Sequence, residues 1–174
     1  MNIFAIEGDT ETGAIDWEKS AQSQDNLRVV KMILESCQIL STVLNEQGMK
    51  APYRSFNPKH PSCLWAAESC NNFMNLAIHC QAMIDEYEHR FGKTHKCTSV
   101  LQTLVEMVDP DLFPQMECTP LRLAMPDEFK DDNPVVAYRK FYASKPRLRY
   151  PVDKIPEWVY DHRTEPFEII KEEK

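Results

Sequence analysis

The sequence predicts an all-α fold: one compact domain of two long packed helices plus shorter helices, joined by proline-rich loops. Apolar residues recur at spacings of three and four over two long stretches, as helix faces do. Prolines punctuate the segments between and after those stretches, where they block long regular elements. With 174 residues and nothing resembling a flexible linker, the chain suits a single core. The domain is expected over 1–158, with 159–174 as a C-terminal tail.

The N-terminal residues Asn2 to Ile6 are apolar and rich in β-formers, and the turn-like EGDTETG follows. They read as a small strand or an ordered arm. The first long helix ends near Asn45 to Gly48 and starts between Asp16 and Asn26, because Asp16, Ser20, Ser23 and Asp25 are all competent N-caps. Within it Val30, Ile33, Leu34, Cys37, Leu40, Ser41 and Leu44 form one stripe, predicted to face the core. Asp25, Arg28, Lys31 and Glu35 form a second stripe beside it, where chemistry is expected.

Residues 49–62 contain three prolines and read as a structured loop. The second long helix is predicted from Cys63 to about Phe91, with Trp65, Phe73, Leu76, Ala77, Cys80, Met83, Ile84 and Tyr87 on its apolar side and Gly92 as its stop. A short helix over 98–108 has Thr98 or Ser99 as cap, and another runs from Val135 to Ala143 behind Pro134. Glu172, Glu173 and the lysines beside them read as a frayed end.

Composition excludes several classes of protein. No apolar run approaches the roughly 18 residues of a membrane span, and the N-terminus lacks the basic start of a secretory signal, so an intracellular protein is expected. The six cysteines lack disulfide-framework spacing and read as reduced, buried thiols. His60, Cys63, Cys70, His79, Cys80, His95 and Cys97 match no common zinc pattern, so no metal and no cofactor are expected. A net charge of −7 argues against indiscriminate coating of nucleic acid. The stretch 133–154 nevertheless holds six Lys or Arg against the single Asp153, which allows a local basic face.

Several residues could carry chemistry, and each has a structural alternative. Asp25 and Arg28 can reach one ligand together, or act as an N-cap followed by a solvated arginine. His60 and Trp65 can hold an extruded base, or be a loop histidine and a core indole. Arg90, one turn after Tyr87, belongs to a basic helix end that either binds phosphate or favours the helix dipole. Tyr138, Arg139, Lys140, Phe141, Tyr142 and Lys145 interleave aromatics with positive charge, as a nucleic-acid surface or an ordinary amphipathic helix would.

The order of these features, from the short N-terminal stretch through D-x-x-R (Asp25, Arg28), HP-x3-W (His60, Pro61, Trp65) and EYEHRFGKTHK (Glu86 to Lys96) to AYRKFY (Ala137 to Tyr142), resembles the pyrimidine-dimer DNA glycosylases of the phage endonuclease V type, and uncharacterised bacteriophage relatives still more closely. The likeness runs from Asn2 to about Trp158. It implies an N-glycosylase with coupled AP-lyase activity on damaged or modified pyrimidines, at work in the cytoplasm of a bacterial host. An N-terminal α-amine, of Met1 or Asn2, would attack the sugar C1′, with Asp25 as the assisting acid. Arg28, Lys31, His60, Trp65, Arg90, Tyr138, Arg139, Lys140 and Tyr142 would bind DNA or a deoxynucleotide. The alternatives are a non-catalytic phage protein that binds nucleic acid or a host protein, or a glycosylase acting on free nucleotides; a pyrophosphatase holding magnesium through Glu68, Asp85, Glu86 and Glu88 ranks last, because no paired ExxE and ExxD arrangement is present.

Overall fold

Two long helices carry the core. The computed structural model describes residues 1–170. Helix α1 (Trp17–Gln22) leads into α2 (Asn26–Glu46), α3 (Pro61–Glu68) and α4 (Cys70–Phe91), followed by α5 (Thr98–Glu106), α6 (Pro134–Ala143) and α7 (Glu157–His162). The strands β1 (Arg149–Pro151) and β2 (Glu168–Ile170) pair in parallel, with Tyr150 opposite Ile169. The result is a mostly helical domain with α2 packed on α4, as expected. No helix among the described residues is long and apolar enough to cross a membrane.

Two of the four competing N-caps at the first helix are used, which resolves its ambiguous start into two helices. Asp16 caps α1 by accepting from Lys19 N, and Asp25 caps α2 by accepting from Leu27 N. The single helix expected from Cys63 to Phe91 is likewise two. Ser69 is fully extended between α3 and α4, and its Oγ caps α4 by accepting from Asn72 N. The first N–H groups of α4 are met by Gln115 O and Met116 O, so the break leaves no orphaned donors. The apolar period continues across it, which is why the sequence conceals it.

Helix α2 is buried on a broader face than one stripe. Val29, Met32, Ser36, Ile39 and Val43 join Ile33, Cys37, Leu40 and Leu44 inside, while Val30 and Leu34 are 40% and 41% exposed. The predicted stripe was therefore wrong at those two positions: neighbours cover α2 on its other sides and leave Leu27, Val30, Lys31 and Leu34 outward. Five of the six cysteines are buried and all are free, with Cys118 exposed.

Residues Ile3 to Ile6 form no strand, because no strand lies beside them; they are a buried arm threaded against α6. Side chains satisfy much of its backbone. Arg139 Nε donates to Ile6 O at 2.8 Å, and Glu7 N donates to Ser20 Oγ at 2.9 Å. The arm turns at Gly8, whose φ of 146° and close approach to Ala14 O leave a Cβ only 2.1 Å from that oxygen. Gly8→Ala should therefore lower stability by about 2 kcal/mol, read as a shifted urea midpoint.

The boundary drawn at residue 158 falls inside α7, where Trp158 and Val159 are buried, and β2 lies beyond it. The frayed end read at Glu172 and Glu173 lies outside the described residues.

Candidate active site

The buried arm delivers the chain's first residue to the flank of α2. There a cavity of about 710 Å³ is lined by Met1, Arg28, Lys31, Glu35, Lys145 and Arg147, among others. The Met1 α-amine lies 3.7 Å from Glu35 Oε2, and Lys31 Nζ lies 3.3 Å from Glu35 Oε1. Met1 and Glu35 are both largely buried, so their ion pair is less screened than an exposed one, whereas Lys31 is exposed. Five positive groups, the α-amine, Arg28, Lys31, Lys145 and Arg147, face this one carboxylate among the lining residues. Such an excess favours an anionic ligand.

The opposite wall is the loop Lys145–Arg147, held by side chains rather than by regular structure. Arg28 donates from Nη2 to Pro146 O at 2.9 Å and from Nη1 to Arg147 O at 3.3 Å. Arg163 Nη1 donates to Lys145 O at 2.8 Å. Arg147 sits at φ 55°, a left-handed conformation that non-glycine residues avoid and that the surrounding contacts sustain. Lys145 Nζ lies 3.6 Å from the centroid of the Phe141 ring. Burial, with Arg28 and Lys31 nearby, lowers the Lys145 pKa below the ordinary lysine value, against the opposing pull of Glu35.

Asp25 takes no part in this cavity. Fully buried, its carboxylate accepts from Tyr142 Oη at 2.7 Å, Arg149 N at 3.0 Å, Leu27 N at 3.3 Å and Arg28 Nη1 at 3.5 Å. With its acceptor sites occupied, Asp25 serves as a helix cap and a bracket for β1. The carboxylate that does line the cavity, Glu35, lies on the same stripe two turns after Arg28. The i, i+4 spacing of Lys31 and Glu35 was the available signal, but the D-x-x-R pattern drew the choice to the helix start.

The remaining candidate residues are dispersed, and most are structural. His60 caps α3, its Nδ1 accepting from Ser62 N at 3.1 Å; burial, then the nearby α-amine charge, lowers its pKa. Trp65 is a core residue whose Nε1 donates to Thr119 O, its ring packed on Trp17. Arg90 is spent on Glu86, Gln22 O, Gln24 O and Asn26, fastening the α1–α2 corner to α4. Tyr138 and Tyr142 are fully buried, Arg139 pairs with Glu7 at 3.0 Å, and Lys140 pairs with Asp131 at 2.8 Å. Helix α6 is thus amphipathic, with its aromatics in the core rather than on a binding surface. Asn2 anchors the arm through its side-chain amide, which donates to Ala124 O at 2.9 Å.

Among the described residues no group of three or more His, Cys, Asp or Glu is placed to hold a metal ion. No protein-family model, curated protein or solved structure matches this chain.

Proposed function

We propose that the chain is a DNA N-glycosylase with a coupled lyase step, acting on damaged or modified pyrimidines through the Met1 α-amine and the Glu35 carboxylate. The observation that supports it is the amine 3.7 Å from a mostly buried carboxylate, in a cavity whose other charged lining residues are cations. The neutral amine attacks C1′, and the electrons of the C1′–N bond leave with the base; the added amine then gives up a proton and the ring oxygen leaves C1′ with its electron pair and a proton, which opens the sugar to the iminium. Glu35 stabilises the cationic sugar and then the iminium. Lys31 and Arg147 are suited to hold the flanking phosphates, while Arg28 fixes the loop that carries Arg147. Should processing remove Met1, the amine of Asn2 takes its place.

Because the whole chain is acidic, its charge favours contact with a single nucleotide of the strand, turned into this cavity, over extended contact with duplex. Incubation with an oligonucleotide carrying an abasic site, followed by borohydride reduction and peptide mapping, tests the reading. The adduct should map to the N-terminal residue and vanish when the amine is acetylated. Glu35→Gln should slow its formation about 100-fold. No adduct from the folded protein would leave the site as a nucleic-acid-binding surface without chemistry.

A further inference from the structure

The cavity holds a second amine that the imine chemistry does not use. Lys145 stands on a loop that has no regular structure yet is fixed from both sides, by Arg28 on Pro146 O and Arg147 O and by Arg163 on Lys145 O. The loop keeps Arg147 in the left-handed region, a cost that a mere connection between α6 and β1 would not need to bear. Among the described residues no carboxylate lies within 4.0 Å of Lys145 Nζ, whereas Lys31 in the same cavity pairs with Glu35. Its amine instead lies on the face of Phe141.

We propose that Lys145 is the base of the strand-cleaving step, taking the C2′ proton of the sugar once C1′ is bound as an iminium. This rests on the reading above. The C2′–H electrons form the C1′=C2′ bond and the iminium becomes an enamine, with the proton on Lys145. The enamine then expels the 3′ phosphate with the electrons of the C3′–O bond, leaving a conjugated iminium that water hydrolyses. Glu35 is a poorer choice for the proton, since it already neutralises the amine and Lys31 and is needed beside the cationic carbon. The positive neighbours that burden Lys145, Arg28 and Lys31, favour its neutral form, and so does its burial. A lysine whose pKa is lowered accepts a proton as its free amine more readily than an ordinary surface lysine does.

The test separates imine formation from elimination on one substrate, an oligonucleotide with a single abasic site, under single-turnover conditions. Lys145→Met keeps an apolar stem against Phe141 without the amine, and Lys145→Arg keeps the charge but cannot act as a base. Both variants should melt like the unsubstituted protein, and the rate at which adduct, once formed, goes on to strand scission should fall about 100-fold whatever the yield of trapped adduct. Three results overturn the proposal: scission rescued by arginine, trapping that falls in step with scission, or an adduct that maps to Lys145 itself. Absence of any adduct from the unsubstituted protein is a different failure, because it removes the amine chemistry on which both readings stand.

Discussion

Asp25→Ala should cost about 3–5 kcal/mol of stability, the range expected when one partner of a buried charged network is deleted. Four donors converge on this fully buried carboxylate, from Tyr142, Arg149, Leu27 and Arg28. Truncation leaves the Arg149 N–H and the Tyr142 hydroxyl without that acceptor, inside the protein, where an unmet polar group costs about 1–3 kcal/mol. It also removes the cap of α2, worth about 1 kcal/mol more. Domains of this kind have roughly 5–15 kcal/mol in total, so the variant should show a much reduced urea midpoint or fail to fold at moderate temperature. Asp25→Asn, which keeps a cap oxygen and removes the charge, should fall between the two. In the borohydride assay, any loss in the Asn variant should track its unfolded fraction, whereas Glu35→Gln should slow the reaction about 100-fold, far beyond its unfolded fraction. Equal stability of Asp25→Asn and the unsubstituted protein, together with abolished trapping, would return Asp25 to the chemistry.

That contrast shows what could be read from residue order and what could not. The long helices were legible because burial on a helix writes a period of three to four, and α2 and α4 carry it over 21 and 22 residues. The break at Ser69 was not legible, since one extended residue hardly shifts that period; only the carbonyls of Gln115 and Met116, far along the chain, reveal how the new helix start is satisfied. Of the Asp25, Arg28, Lys31, Glu35 stripe, the last three line one cavity and Asp25 does not. The stripe's division into a buried structural end and a cavity-facing end depends on where the arm and the Lys145–Arg147 loop lie, which is tertiary information. The aromatic and basic run on α6 misled because the same pattern serves a binding face and an amphipathic helix, and here Phe4 claims Tyr138, Phe141 and Tyr142 for the core.

Acid should expose a second buried group. His79 is completely enclosed on α4, its Nδ1 hydrogen-bonded to Trp17 O at 2.8 Å and its Nε2 3.3 Å from the Gln24 amide nitrogen. The carbonyl fixes the proton on Nδ1, so the ring is neutral and accepts from Gln24. Burial pushes its pKa down from 6.5 to about 4, and the hydrogen bond to Trp17 O offsets only part of that. A base with a depressed pKa in the folded state binds its proton earlier when unfolded. The contribution is therefore complete above about pH 6.5 and is lost progressively as pH falls toward 4, by about 3 kcal/mol in all. Unfolding free energies from urea titrations at intervals across this window should decline, and His79→Gln should flatten the decline even though it lowers stability at pH 7. The informative quantity is the difference in slope between the two proteins, since the carboxylates contribute to both. Parallel curves would mean that His79 accepts its proton without opening the fold, and that the corner between α1 and α4 has room for a cation.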